Sequence, residues 1–570
     1  MPTYGQVRLW RPEPLDAAEQ RLKGCSEKLL GLSDEFVDMG TPAGWIGISA
    51  EAATTKRGQV SDRMERIVAG VSAARTGLMQ GADALTGLKQ GVEEADALAR
   101  AREFSIGDDG SVTDISAKRS VPADQVDDVA RERERTRNEL VDRVEQILRR
   151  ANDIDADLNA LLGRVMNGEI DDGGATDLAS AAKNGAGKGG LSVLEPPGGA
   201  GTPGDNAGWW DSLSDAEQRQ IIAQHPDWIG NRDGVPFGAR DEANRQLLQT
   251  EKTKLQDEAR RLQADLDDNW FGGTFTNADA RLDEVKAKLE SIKAIEETLA
   301  QPGERQLLML DMTDERAEAA VANGNVDTAA HVSVFTPGLT STVNGSLGDY
   351  DHNMYDLKNR TEDLQDRYGN GESVATVTWI GYQAPQLTVG GVLFDENSVV
   401  DDHSAQQGAN KLAPFLNGID AARDTDPHLT ALGHSYGSTT TGLALQQNTG
   451  VDDAVLFGSP GLGTSNIDDL KVPGGHTYYI EGRNDPVGDL GYFGIDPSHM
   501  DGVEHLSAKE TSLPGGGKMT ESAGHSYYLD DNSTSQYNMS VITGGMADHR
   551  IRDDGKGFGD VLSWPVPGTY

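Results

Sequence analysis

The chain has 570 residues, with 51 Lys and Arg against 92 Asp and Glu, which gives a formal net charge of −41. A chain of this length is expected to fold as two or three domains. A surface this acidic repels phosphate groups, which argues against nucleic-acid binding and against electrostatic docking on anionic lipid. Cys25 is the single cysteine, so an internal disulfide framework is excluded.

Sequence signals for membrane insertion are absent from the chain. No stretch approaches the ~18 consecutive apolar residues that a membrane-spanning helix needs. The first twenty residues, MPTYGQVRLWRPEPLDAAEQ, have no basic stretch followed by an apolar run, so we expect no standard signal peptide. Export by a route that needs no cleaved signal stays open.

Residues 1–166 are predicted to form an α-helical module. Residues 16–39 carry apolar side chains at helical spacing, the pattern breaks at GTPAGWIGISAEAA, and Ser49 is placed to cap a second helix. Residues 121–166 are predicted to form one long charged helix. Its apolar positions recur at spacings of three and four, as in a hairpin or coiled-coil seam: Leu140, Val144, Ile147, Ala151, Ile154, Leu158, Leu161 and Val165.

The next two segments differ in composition. Residues 167–206 are rich in Gly, Pro and Ala and poor in large apolar side chains, so we predict a flexible linker. Residues 207–304 return to charged helical patterns and are predicted to form a helical extension or lid. Trp209, Trp210 and Trp228 are interpreted as buried anchors, with lining of an apolar substrate entrance as the alternative.

From residue 305 short β-rich runs alternate with helical stretches, which predicts an α/β domain with a mostly parallel sheet over 305–570. The runs are apolar on both sides, as expected for strands covered on both faces. They read RQLLMLDM, AHVSVFTPG, SVATVTWIGY, LTALGHS, DDAVLFGSPG and HTYYIEG.

One of these runs leads into a candidate nucleophile. Gly433, Ser435 and Gly437 stand in the order G-x-S-x-G, after the apolar LTAL and before the small-residue helix STTTGLAL. This strand-turn-helix setting is typical of a tight elbow that projects a serine at the carboxyl end of a strand. The alternative is an ordinary glycine-rich turn.

A serine nucleophile needs a base and a group that orients the base, and on this type of sheet the chain order is Ser, acid, His. Asp485 lies just past the strand predicted at HTYYIEG, with Asp489 as the fallback. His525 is the preferred base, because it follows a glycine-containing loop after the last predicted strand. His499 and His505 are its competitors.

Two backbone N–H groups are expected to form an oxyanion hole. Tyr436, the residue after the nucleophile, would supply one. The loop FTPGLTST would supply the other, from Leu339 or Thr340, with Gly338 allowing close approach. No phosphate-binding loop or zinc-type Cys/His cluster occurs, so we expect neither metal nor cofactor.

The pieces HPDWIGNRDGVPFGARDEANR, VSVFTPGLTSTV, LGHSYGSTTTGLAL, VLFGSPG, RNDPVG and GHSYYL occur in this order over roughly the last 350 residues. In these the chain resembles an actinobacterial α/β-hydrolase family of unknown function. The resemblance implies the α/β-hydrolase fold and a triad of Ser435, Asp485 and His525. It implies no physiological substrate.

The helical N-terminal part is similar to the W-x-G helical hairpins of type VII secretion, because Trp45-Ile46-Gly47 lies in the break between two helices. This resemblance implies a helical secretion partner and a secreted or envelope-associated protein, with a cytoplasmic location as the alternative. The C-terminal Y-x-x-x-[DE] signature of such proteins is absent near the hairpin.

We therefore expect a serine hydrolase of the esterase or lipase type that acts on a small ester or lipid-like substrate. The alternative is a non-catalytic interaction or delivery protein of a secretion system that uses the hydrolase fold as a scaffold.

Overall fold

A computed structural model describes residues 1–38, 42–116, 121–122, 125–268, 277–386, 402–423, 425–487, 493–513 and 517–553. The chain divides into two compact units. The first comprises Met1–Arg119 with Arg135–Gln224, and the second comprises Ser120–Glu134 with His225–Tyr570. Within the described ranges, every helix is too short or too polar to cross a membrane.

The first unit is built around one helix of 54 residues, α3. Trp45-Ile46-Gly47 directly precedes it, and Gly47 is its N-cap. The elements up to residue 224 are α1 (Tyr4–Val7), α2 (Glu13–Asp38), α3 (Ile48–Ala101), β1 (Phe104–Ile106), β2 (Val112–Asp114), α4 (Val126–Met166), α5 (Leu178–Ala186), α6 (Pro203–Asp211) and α7 (Asp215–Gln224). The first residues of α4, up to Glu134, are assigned to the second unit. The apolar seam predicted along α4 is buried except at Leu158 and Val165, which are partly buried.

The segment predicted as a flexible linker differs in the structure, because it contains α5 and the first turn of α6. A Cβ added to Gly185 would lie 2.1 Å from the Ala69 carbonyl oxygen of α3, and one added to Gly189 would lie 2.1 Å from that of Ala73. The small residues that predict flexibility therefore allow the backbones to approach closely. Trp209 is fully buried and its indole N–H donates to the Leu194 carbonyl at 3.0 Å, so it is an anchor. Trp228 is only partly buried.

The second unit contains an eight-stranded sheet in the order β10-β9-β8-β7-β5-β6-β4-β3. Six neighbouring strands run parallel to one another: β6, β5, β7, β8, β9 and β10. Strand β4 is antiparallel to both of its neighbours, β6 and β3. The predicted mostly parallel sheet is confirmed. The strands are β3 (Arg305–Asp311), β4 (Glu318–Asn323), β5 (His331–Thr336), β6 (Val374–Ile380), β7 (His428–His434), β8 (Asp453–Phe457), β9 (Thr477–Ile480) and β10 (Glu504–Leu506), with a small separate pair β11 (Thr511–Ser512) and β12 (Lys518–Met519).

Helices cover both faces of this sheet. They are α8 (Phe237–Asp268), α9 (Asn277–Leu299), α10 (Val343–Tyr368), α11 (His403–Ala421), α12 (Tyr436–Leu445) and α13 (Thr534–Thr543). One core lies between the strands and α11 with α12, and the other between the strands and α10 with α13. Alternate residues of each strand enter opposite cores, as Ala431 and Leu432 of β7 do.

The helices predicted as an extension or lid pack at one edge of the sheet. Asn244 of α8 donates to the Leu307 carbonyl of β3 at 3.0 Å, and apolar side chains of α8 and α9 share a core with β3 and β4. Strands β4, β6 and β5 lie between β3 and β7, the strand that leads to Ser435. These contacts agree with the predicted extension at the edge of the sheet, and they give no support to the predicted lid.

Candidate active site

The turn between β7 and α12 has the backbone of a strained elbow. Ser435 has φ 54° and ψ −132°, while β7 ends at His434 and α12 begins at Tyr436. Positive φ is uncommon for a residue with a Cβ, and the strain is tolerated where the surroundings hold it in place. The elbow projects Ser435 from the carboxyl end of a central strand.

The glycines of the motif are required by close contacts. A Cβ at Gly433 would lie 2.8 Å from the Ser438 Cα, and a Cβ at Gly437 would lie 2.2 Å from the Thr336 carbonyl oxygen at the end of β5. Real Cβ atoms essentially never come within 3.0 Å of another heavy atom in this way. A larger residue at either position would force the elbow and its neighbours apart.

Three side chains predicted from the sequence meet at this elbow. The Ser435 Oγ lies 2.8 Å from the His525 Nε2, and the His525 Nδ1 lies 2.9 and 3.0 Å from the two carboxylate oxygens of Asp485. If Nδ1 carries the proton it donates to Asp485, and Nε2 is then free to accept the proton of the serine hydroxyl. This arrangement can activate Ser435 as a nucleophile.

The competing histidines lie elsewhere. The His499 Nδ1 contacts the Asp496 carboxylate at 3.0 Å, and the ring of His505 on β10 packs edge-on against Tyr479. The fallback acid, Asp489, lies outside the described residues.

Asp485 is buried and holds two further hydrogen bonds. The Val487 backbone N–H donates to its Oδ1 at 2.9 Å, and the Tyr528 hydroxyl donates to its Oδ2 at 2.6 Å. Burial alone would raise the pKa of this carboxyl group. The hydrogen bonds and charge of His525, together with the Tyr528 hydroxyl, hold the pKa below its ordinary value. Asp485 is therefore a carboxylate beside the imidazole at neutral pH.

His434, inside the motif itself, packs against His525, with ring centroids 4.8 Å apart. Its Nε2–H donates to the His525 carbonyl oxygen at 2.9 Å, and its ring stacks on Phe457. Burial, reinforced by the nearby His525, lowers the pKa of His434 to about 4. Strand alternation places His434 on the same face as Leu432, a signal in the sequence that could have located it.

Leu339 and Thr340 are the two candidates for the second backbone donor of an oxyanion hole. The Thr340 N–H donates to the Pro385 carbonyl at 2.9 Å, which favours Leu339. A Cβ on Gly338 would lie 2.6 Å from the Ser435 Cβ, so the loop after β5 lies against Ser435. Tyr436 is the first residue of α12, whose amino end favours negative charge. Among the described residues, no group of three or more His, Cys, Asp or Glu side chains could hold a metal ion.

The site lies where the strand order reverses. From β5 the chain passes through α10 to β6 on one side, then through α11 to β7 on the other. In open parallel sheets, ligands bind at such a point, beside the carboxyl ends of the strands. Asp485 follows β9 and His525 follows β10, the chain order expected from the sequence.

Comparisons with known proteins agree with this architecture. The sequence profile of a family described as alpha/beta hydrolase matches residues 313–495, which include Ser435 and Asp485 and end before His525. An uncharacterized protein of Mycobacterium tuberculosis (strain H37Rv) is 37% identical over 237 residues, which are 40% of this chain and 86% of that protein. An uncharacterized Mycobacterium bovis protein matches to the same extent. This chain is an alpha/beta hydrolase.

The hydrolase also resembles proteins of lower sequence identity. A second uncharacterized M. tuberculosis protein is 31% identical over 310 residues, which are 52% of this chain and 45% of that protein. Among solved structures, the esterase domain of a Rhodothermus marinus protein aligns with TM-score 0.25 and 12% identity over 43% of this chain and 99% of that domain. An arylesterase aligns with TM-score 0.27 and 14% identity over 51% and 97%.

Proposed function

We propose that this alpha/beta hydrolase is a serine hydrolase that cleaves carboxylic esters through an acyl-enzyme. Ser435 attacks the ester carbonyl carbon while His525 takes the hydroxyl proton, and His525 then gives that proton to the departing alkoxide. Water, activated by the same imidazole, hydrolyses the acyl-enzyme and releases the acid. Asp485 orients the imidazole and stabilises its charged form.

In this mechanism the negative charge on the carbonyl oxygen is held by the backbone N–H groups of Tyr436 and Leu339. Preorganised donors of this kind typically account for about 10²–10³ in kcat each. What supports Leu339 is the contact of Gly338 with Ser435 and the bond that occupies the Thr340 N–H.

The observation that carries the proposal is the hydrogen-bonded series Ser435–His525–Asp485, with separations of 2.8 and 2.9 Å, at a serine with left-handed φ. A scaffold protein without catalysis has no need of a strained, positive-φ serine hydrogen-bonded to a histidine. The proposal therefore places the reaction at Ser435.

A fluorophosphonate probe tests it, since the probe reacts covalently with activated serines. Wild type is expected to be labelled, and Ser435→Ala is expected to lose all labelling. Ser498→Ala is the matched control, because Ser498 also contacts a histidine and an aspartate, at 2.9 Å from His499 and 2.6 Å from Asp496, in a 3-10 turn. Unlabelled wild type, beside an esterase that labels, would establish the non-catalytic alternative.

We further propose that the helical first unit directs export through a helical secretion partner. Trp45 and Ile46 are 44% and 86% exposed in the turn before α3, so they are accessible to such a partner. Trp45→Ala in the full chain should reduce the amount in culture filtrate, whereas Ile115→Ala, an exposed apolar side chain of the same unit, should not. Equal export of both variants and wild type would remove this role.

A further inference from the structure

Tyr528 contacts Asp485, and the mechanism proposed above gives it no part in the reaction. It is 1% exposed, and its hydroxyl donates to the Asp485 Oδ2 at 2.6 Å. It lies three residues after His525 in the chain, so one short segment carries both the base and a donor to the acid that orients it.

The direction of this hydrogen bond follows from a second contact. The Gly482 backbone N–H donates to the Tyr528 hydroxyl oxygen at 2.7 Å. A phenol has one proton, and with the Gly482 N–H occupying one side of the oxygen that proton points to Asp485. Burial beside Asp485 raises the pKa of Tyr528 above its ordinary value, so the hydroxyl keeps its proton and donates at neutral pH.

The atoms around the Asp485 carboxylate and the Tyr528 ring leave little space for either side chain to take another position. A Cβ at Gly458, after β8, would lie 2.8 Å from the Asp485 Oδ2 and 3.1 Å from the Tyr528 Cε2. Tyr528 also packs against Phe457, with ring centroids 5.4 Å apart. The carboxylate is thus enclosed by Gly458, the tyrosine ring and the imidazole.

We propose that Tyr528 is a positioning residue of the hydrolytic reaction, which fixes the Asp485 carboxylate and moderates its pull on the His525 imidazolium. This inference rests on the proposed serine-hydrolase function. A donor to a carboxylate stabilises its negative charge and so weakens its attraction for a neighbouring cation. Without the Tyr528 hydroxyl, Asp485 would attract the imidazolium more strongly and be held less firmly in place.

The test is the pH profile of Tyr528→Phe in the full chain with a short-chain p-nitrophenyl ester. Because Asp485 would then attract the charged form of the base more strongly, the acid limb of kcat/KM is expected to move up by about 0.5 pH unit or more. Looser placement of the carboxylate should lower kcat about tenfold with KM nearly unchanged. Tyr537→Phe is the control, because that buried hydroxyl donates to the His549 carbonyl at 3.2 Å, away from the triad. Its acid limb should stay at the wild-type position.

A second variant covers the case in which Tyr528→Phe does not fold. Incorporation of 3-fluorotyrosine at position 528 keeps the shape and makes the hydroxyl a stronger donor, so the acid limb should move down. An acid limb unmoved in a folded, active variant overturns the positioning role and leaves the serine-hydrolase proposal standing. A wild type without esterase activity or probe labelling instead refutes the proposed function itself.

Discussion

Gly437→Ala is expected to abolish most activity without touching any side chain of the triad. The added Cβ would lie 2.2 Å from the Thr336 carbonyl oxygen and 2.5 Å from that of Pro337. Both atoms are backbone, so no side-chain rotation relieves the overlap. Either the first turn of α12 or the end of β5 must move.

The size of that movement follows from the contact. A separation of at least 3.0 Å requires a shift of about 0.8 Å. Thr336 and Pro337 lead directly to Gly338 and Leu339, so the shift carries the proposed oxyanion donor away from Ser435. A misplacement of about 1 Å near the reacting atoms can cost roughly 10² in rate, and overpacking of this kind destabilises a fold by about 1–3 kcal/mol.

The assay is kcat for p-nitrophenyl ester hydrolysis beside urea unfolding of the same preparations. Gly348→Ala is the matched control, since this glycine also lies in a helix, α10, and its added Cβ would meet nothing within 4 Å. The control should keep wild-type kcat and gain about 0.5–1 kcal/mol, as expected for Ala over Gly in a helix. A Gly437→Ala enzyme with kcat within about threefold of wild type would refute the reasoning.

Two further predictions concern stability. The pKa of His434 is about 4 in the fold against an ordinary 6.5, so as the pH falls His434 is protonated in the unfolded chain before it is protonated in the folded chain. Up to about 3 kcal/mol of stability present above pH 6.5 is therefore lost as the pH falls towards 4. His434→Gln should flatten this part of the pH dependence in urea unfolding at pH 7 and pH 4.5, and an unchanged slope would contradict the assignment. In the first unit, Gly185→Ala should lower thermal stability by about 1–3 kcal/mol through its contact with Ala69, whereas Gly163→Ala, with nothing within 4 Å, should not. Equal melting of these two variants would mean that α5 does not pack on α3 as described.

The central strands and the elbow could be predicted from the sequence because their signals are local. G-x-S-x-G marks a turn whose glycines are dictated by contacts within a few residues and with one neighbouring strand. The order Ser435, Asp485, His525 is the one known for this type of sheet, so the positions of the predicted strands narrowed the choice of acid and base to residues that follow them.

Tyr528 escaped prediction because its contacts are long-range and carry no periodic pattern. Its partner Asp485 lies 43 residues earlier, and a tyrosine after a loop histidine is ordinary in composition. His434 occupies a variable position of G-x-S-x-G, so the motif does not mark it, although strand alternation places it on the face of Leu432.

The predicted flexible linker over 167–206 differs from the structure for another reason. Glycine and alanine are typical both of chains that do not pack and of backbones that pack in close contact, and composition does not distinguish the two. Only the position of Gly185 and Gly189 against α3 separates these cases.

The winding of the sheet also determines when the site is completed during synthesis. Ser435 and His525 are 90 residues apart, and β8, β9 and β10 lie between them. At about 5–20 residues per second, the ribosome adds the base roughly 5–18 s after the nucleophile. A nascent chain that has already formed its elbow therefore has no base for Ser435, and the hydrolysis proposed for Ser435 can begin only after the segment that carries His525 and Tyr528 has left the ribosome and docked.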